Sequence, residues 1–460
     1  MLLNLCYITV HVFARVHESR QGDPGFSFVE IGRRWDRFMT KKQSWLSLAV
    51  VFGSVYFFSL NGLGSLPALA VNYLLKDKAG LTPEKMAYFQ AVTLIAWVIK
   101  PFWGLISDLF PIFGSRRRSY LILTSVVAGA AWLVLAFLPD LGAASLLLML
   151  MTLIYMAYAF QDVVTDGLMV ESGQALDRTG QFQSIQWSAV YAAMIVTAFA
   201  GGYVAELAQK GAMSYRSIFA ITAAFPALTA MIVFFMVREP AQAHLERAAE
   251  TGLRDVFRHK GIWVLSAFLF LWNFSPSFGA PFFYYTVDTL KFSASFLGIL
   301  QAVTSAGALV GSVFYGLLFA KFPVRKFLLI AVMAGVVSTL SYFIYFAPWL
   351  VHHASVLKTL ALVMNFLLGT ASAVIFLALL NLAARCSPQY AGGTVFALLM
   401  SFYNFGQMGS SAFGGFLFPR IGLEPLIFLS AGFSLLALFL IPYLPVPKTD
   451  PAEGLEGGRS

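Results

Sequence analysis

From residue 46 to residue 445 the sequence is a succession of long apolar stretches, each closed by glycine, proline or charge. A helix needs about 20 apolar residues to cross a bilayer, whereas a barrel strand needs about 10 in strict alternation. Runs such as 146–159 and 426–440 are continuous rather than alternating, and so predict helices. The predicted spans are 46–74, 83–106, 118–138, 143–170, 181–208 and 213–237, then 261–288, 294–320, 326–346, 351–384, 389–418 and 422–445. Between the two sets lies the longest polar stretch separating any two spans, 238–260.

Composition excludes the other classes. Of 460 residues only 12% are charged and 59% are hydrophobic, about half the charge that a soluble domain carries. A solvated coil cannot hold 45 Phe, 18 Tyr and 9 Trp either. The net charge of +9 would raise the question of nucleic acid in a soluble protein, but here it belongs to basic loops facing anionic lipid, and no nucleic-acid partner is expected. Cys6 and Cys386 do not make a disulfide framework. The six histidines lie outside or at the edges of the apolar cores with no metal-ligand spacing, so no metal site is expected.

The expected organisation is an N-terminal lead-in or upstream extension at 1–42, with Met39 a possible start, a six-helix half at 43–237, and a cytoplasmic linker at 238–260. A second six-helix half at 261–445 and a cytoplasmic tail at 446–460 follow. With the N-terminus inside, the cytoplasmic side carries 20 Lys and Arg against 8 outside, which places both termini in the cytoplasm. The fold class is therefore an all-α membrane protein of twelve transmembrane helices in two pseudo-symmetric halves.

Duplication shows in the loops. After the second span the chain reads Gly104-Leu-Ile-Ser-Asp108 and then Arg116, Arg117 and Arg118; after the eighth it reads Gly316-Leu-Leu followed by Lys321, Arg325 and Lys326. The two glycines are 212 residues apart and in matching loops.

The intramembrane charges are informative before any family is considered. Lys100 lies eight residues, roughly 12 Å of helix rise, from Asp108, and Asp162 lies at similar depth on the fourth span. Asp162 and Asp166 are four residues apart, hence on one helix face. Charges at that depth cost about 2.5–3.5 kcal/mol each and face a cavity or a partner. Two readings stay open: a coupling or gating group, or an ion pair stapling helices. Pro101 beside Lys100 predicts a kink. On the seventh span Pro276, Gly279 and Pro281 interrupt the helix, which makes Trp272, Asn273 and Phe278 candidates for lining a site. Gln186 and Trp187 on the fifth span are further cavity candidates. Gly307, Gly311, Gly406, Gly409, Gly414 and Gly415 are expected to admit close helix crossing.

The G-x-x-S-D loop with its arginines resembles the signature of the major facilitator superfamily, and 316–326 resembles its weaker second copy. That resemblance implies gating roles for Asp108, Arg116, Arg117, Arg118, Lys321 and Arg325, around a central cavity opening alternately to either side. The blocks Lys100 to Asp108 with Arg116 to Tyr120, Asp162 to Glu171, and Thr394 to Ser401 with Asn404 are similar to the folate/biopterin transporter family, in the right order over 46–445. This adds Asn404 to the candidate substrate or coupling residues. Thr165 and Gly392 depart from the family pattern; the loss of an acid near Gly392 bears on coupling or ligand charge.

The expected function is secondary active transport of an organic solute, and the resemblance implies a folate or pterin compound moved by symport. The driving force would be a proton or other cation gradient, with no cofactor. A monomer in the cell membrane, with lipid and a small organic solute as its partners, is expected. Rival readings are a facilitator for a sugar, a drug or a cell-wall fragment, or else a channel or an intramembrane enzyme. No G-x-x-x-x-G-K-[ST] loop is present to energise a primary pump.

Overall fold

The computed structural model describes residues 45–60, 62–112, 115–176, 178–237, 260–315, 318, 323–386 and 392–445. The expected lead-in 1–42, nearly all of the linker and the tail 446–460 lie outside the described residues. The chain divides into a short unit ending at Leu48 and a large unit from Ala49 onward, within which all contacts below fall.

Helices occupy all twelve expected stretches. Span 1 is Trp45–Phe58 and Ala68–Asp77, joined through a 3-10 turn at Leu63–Ser65. Span 2 runs as Pro83–Thr93, Ile95–Val98 and Lys100–Leu109, with Thr82 capping its start and Pro83 in the first turn, where a missing N–H costs nothing. Spans 3 to 6 are Arg118–Phe137, Ala144–Leu176, Thr179–Gln209 and Tyr215–Met236. Span 7 is Lys260–Asn273, Gly279–Tyr284 and a π turn at Tyr285–Thr289, and span 8 is Ala294–Phe314. Span 9 is Val324–Leu340 continued by a 3-10 segment, Ser341–Phe346, and span 10 is Ala354–Cys386. Span 11 is Gly392–Ile421, and span 12 is Leu423–Ser434 continued by Leu435–Tyr443.

Ten of the described helices are long and apolar enough to cross a membrane unaided. The two exceptions have physical reasons. Span 7 is broken, as its prolines predict, so its apolar first piece is short. Span 11 carries Asn404, Gln407 and several serines and glycines, which dilute its hydropathy because it packs against protein at many points. Large apolar side chains such as Phe137, Phe235 and Phe439 are exposed, as lipid contact requires. Three buried threonines are satisfied within their own helices: Thr124 donates to the Tyr120 carbonyl, Thr197 to Ala193 and Thr222 to Ile218.

The duplication read from the loops is visible in the packing. Spans 3 and 6 pair, as do 9 and 12; 2 pairs with 4 as 8 does with 10; and 1 pairs with 5 as 7 does with 11. The halves meet through 5 against 8 and 2 against 11, two contacts that one two-fold operation interchanges. Backbones approach closely at these seams. A methyl group on Gly202 of span 5 would come 2.7 Å from the Gly298 Cα of span 8.

Candidate functional site

Spans 1, 2 and 4 bring together a buried cluster of ionisable groups. Lys100 opens the last helical piece of span 2, directly after Ile99, whose φ of −90° and ψ of 20° interrupt the helix. The indole of Trp103 donates to the Ala96 carbonyl across this break at 3.0 Å. Lys100 Nζ, lying 4.8 Å from the centroid of the Trp97 ring, donates to Asp162 Oδ2 at 2.5 Å. The other carboxylate oxygen of Asp162 lies 2.7 Å from the hydroxyl of Tyr56 on span 1, and Asp166 Oδ1 lies 2.9 Å from the same hydroxyl. Tyr56 and Asp162 are each only 8% exposed, so these groups compensate one another where water cannot.

Tyr56 is the member that sequence reasoning missed. Its one signal is a hydroxyl deep inside span 1, away from the membrane interfaces where tyrosines gather. Neighbouring polar residues on span 4 turn elsewhere. Gln161 donates to Ser125 of span 3 at 2.6 Å, and Thr165 donates to the Gln161 carbonyl at 2.6 Å. The hydroxyl of Thr165 is thus spent inside its own helix, which lets threonine occupy a fully buried position.

The other candidates fall into separate places. Asn404 of span 11 donates to the Trp97 carbonyl at 3.2 Å, tying the second half to the break beside Lys100. Trp187 of span 5 meets Phe376 of span 10 edge-to-face at 5.4 Å; Phe376 lies 5.8 Å from Tyr403, whose carbonyl accepts from Asn273. Gln186 is buried, and its Nε2 has no partner among the described residues. Trp272 packs against Phe268 in the apolar core of the second half, and Phe278 sits 5.0 Å from Tyr342 at the far end of the same half. These two lie apart from the charged cluster.

At the 2–3 loop, Arg117 is buried and its Nη2 lies 2.7 Å from Glu171 Oε1 and 2.9 Å from Asp108 Oδ1, while its Nη1 donates to Ser107 at 3.0 Å. Arg116 stands 3.6 Å from Glu171 and 3.8 Å from Asp108. Glu171 closes this network but was not among the predicted gating residues. Gly167 supplies the seat: a Cβ there would meet the Arg117 guanidinium carbon at 2.8 Å, so a side chain would push the arginine off span 4.

Arg118 faces another way. It donates to the Phe234 carbonyl at 2.9 Å and lies over the Phe234 ring, at the end of span 6. Arg325 does the same in the second half, donating to the Leu444 carbonyl beyond span 12 at 3.5 Å. Each is a cation near the end of a helix, where unpaired carbonyls attract it. Lys321 lies outside the described residues.

The end of the bundle away from the 2–3 loop is fastened between the halves. Lys76 of span 1 pairs with Asp288 of span 7 at 2.8 Å, the Tyr284 hydroxyl donates to the Leu81 carbonyl, and Glu206 of span 5 accepts from the Ser295 amide at 3.1 Å. A short bis-methanethiosulfonate reagent bridging Lys76→Cys and Asp288→Cys is expected to reduce transport at least about tenfold, with recovery on reduction. Full transport by the bridged protein would show that this end need not part.

The chain resembles known proteins along most of its length. The BT1 family matches residues 61–447. The folate-biopterin transporter of Synechocystis sp. is 32% identical over 420 residues, covering 88% of this chain and 81% of the relative. Folate transporter 2 of Plasmodium falciparum is 27% identical over 413 residues, covering 85% of this chain and 87% of the relative. Among solved structures, a D-xylose–proton symporter superposes with a TM-score of 0.67 at 16% identity, covering 88% of this chain and 98% of that one. A nucleoside transporter superposes at 0.64 and 14% identity, covering 88% and 99%. Those two likenesses show that this chain shares their fold. With the family match spanning nearly all the spans and the twelve helices paired as two like halves, the chain belongs to the BT1 family and is a multi-pass membrane transporter of a small-molecule solute.

Proposed function

We propose that the protein carries a folate or pterin compound across the cell membrane together with protons, as a monomer with both termini in the cytoplasm and without a cofactor. The cluster of Lys100, Asp162, Tyr56 and Asp166 is the observation that carries the coupling. A phenol has one hydrogen to donate, yet the Tyr56 oxygen lies within 2.9 Å of both carboxylates. With both acids ionised, one of these contacts brings two electron-rich oxygens together and the cluster holds a net charge of −1. One added proton on Asp166 resolves both problems: Asp166 then donates to Tyr56, Tyr56 donates to Asp162, and Asp162 pairs with Lys100. The groups facing Asp166 are Tyr56 from span 1, Lys100 from span 2 and Asp162 from its own span. An anionic solute that attracts Lys100 releases Asp162 and so changes the proton affinity of the whole cluster, which links loading to protonation.

The names of the relatives support the solute class, and the charge bias of the loops supports the orientation. The test is uptake of labelled folate and labelled pterin by liposomes holding the purified protein, acidic outside or at equal pH. Accumulation is expected only with the gradient and is lost with a protonophore. Asp166→Asn should keep exchange of solute across the membrane within a few-fold but abolish accumulation. Equal accumulation with and without the gradient would remove proton coupling; failure of folate and pterin to exchange would remove the solute class.

A further inference from the structure

The charged cluster belongs entirely to the first half, and the second half holds a cavity of different chemistry. It measures about 280 Å³, at the lower end of small-molecule sites, and lies between spans 7, 8, 9 and 10 towards the fastened end. Its walls include Phe282, Gln301, Thr304, Tyr342, Tyr345 and Asn365, and none of its described lining residues is charged.

Irregular backbone builds these walls. The last turns of span 9 wind as a 3-10 helix, in which residues three apart eclipse, so Tyr342 and Tyr345 stand one above the other. Phe282, just past the break in span 7, meets both edge-on, with centroids at 4.9 and 5.1 Å. Opposite them a polar wall is held in one orientation. The Thr304 hydroxyl lies 2.8 Å from the Leu300 carbonyl and 3.1 Å from Asn365 Oδ1, and Asn365 Nδ2 donates to the Ala361 carbonyl at 2.8 Å and to the Tyr345 oxygen at 3.3 Å. The Tyr345 oxygen therefore accepts, leaving its own hydrogen to donate. The hydrogens of the Tyr342 and Tyr345 hydroxyls meet no side-chain or carbonyl acceptor among the described residues, and the Gln301 amide makes no hydrogen bond among them.

Two phenol donors and one primary amide, on aromatic walls without charge, complement an uncharged flat heterocycle bearing carbonyl or ring-nitrogen acceptors and an amino donor. A carboxylate would find no cation here. We propose that this cavity is the binding site for the uncharged fused ring of the solute, separate from the charged cluster that serves its anionic end. Leu69 of span 1 is the lining residue contributed by the first half, so relative movement of the halves would open or cover the ring. The assignment of the ring as a pterin rests on the proposed function; the location of the site does not.

The test uses the full chain, purified, with 2-amino-4-oxopteridine as the probe and its fluorescence quenching as the readout. Gln301→Leu should weaken binding about tenfold, the effect of one lost buried hydrogen bond and its stranded partner, and Asn365→Leu, which releases the Tyr345 hydroxyl that it holds, should weaken it about three- to fivefold. Tyr342→Phe, which preserves the ring and the packing, should weaken it about three- to fivefold, while Gly335→Ala, where a Cβ meets nothing within 4 Å, should change it less than about twofold. Folate uptake by wild-type liposomes is measured in parallel. Uptake with pterin affinity untouched by all three cavity variants, or no pterin binding to the wild type, would overturn this site and leave the transport reading standing. Absence of both folate and pterin uptake would instead overturn the transport reading. Loss of pterin binding in the folded double variant Lys100→Met with Asp162→Leu, with the three cavity variants binding as the wild type does, would place the ring in the charged cluster.

Discussion

Lys100→Met alone is expected to leave little folded protein and to lower transport at least about a hundredfold. The substitution strips the one cation from a cluster that keeps two carboxyl groups, and leaving a buried charge without its partner costs about 3–5 kcal/mol. Asp162→Leu alone should be comparably damaging, because it strands the ammonium against Trp97. The double variant separates the two roles. If the pair only staples spans 2 and 4, Lys100→Met with Asp162→Leu should recover both folding and accumulation, since Asp166 can still be held by Tyr56. If the pair takes part in coupling, the double variant should fold and exchange solute but fail to concentrate it. Yield of monodisperse protein, counterflow and gradient-driven uptake read the three quantities separately. Single variants that fold and concentrate solute like the wild type would remove Lys100 and Asp162 from the mechanism.

The second large effect lies in packing. A Cβ on Gly307 would come 2.1 Å from the Phe366 carbonyl oxygen, and one on Gly311 would come 2.2 Å from that of Thr370, both on span 10. From the other side, Gly369 would meet the Thr304 carbonyl at 2.0 Å. These obstacles are backbone, which cannot swing away as a side chain can. Gly307→Ala and Gly311→Ala should each push spans 8 and 10 apart and destabilise the second half by about 1–3 kcal/mol, with the pair together preventing assembly. Thermal unfolding of the detergent-solubilised protein measures this. Gly335→Ala is the control, because a Cβ there meets nothing within 4 Å. Unchanged stability in Gly311→Ala would mean that the spans are not in backbone contact.

How far the sequence could be read depends on what each residue costs in a bilayer. Lys100 and Asp162 stand out because a charge at that depth is expensive and requires a reason. Tyr56 joins the same cluster unseen, because a phenol in an apolar run costs little and leaves no mark in charge or hydropathy. The three consecutive arginines were indistinguishable as a string. Span 3 begins at Arg118 and Arg117 stands just before it, and at that boundary the side chains part, Arg117 to Glu171 and Arg118 to Phe234. The interruption of span 7 was legible because prolines and a glycine have fixed backbone consequences. The cavity beside span 9 was not, since a 3-10 turn in Ser341–Phe346 has no signature that distinguishes it from ordinary α-helix.

Span 4 is an uninterrupted helix from Ala144 to Leu176, and it carries Asp162, Asp166, Gly167 and Glu171 in sequence. Asp166 touches Tyr56 while the next residue is the seat of Arg117. A stiff rod with both sites fixed to it has a single rotation and a single translation to share between them. Any turn that draws Asp166 away from Tyr56 also carries the Arg117 seat round with it, and no intermediate element can absorb the movement. Parting one contact while the other holds therefore falls to the 2–3 loop or to span 1, because any movement of span 4 itself displaces both at once.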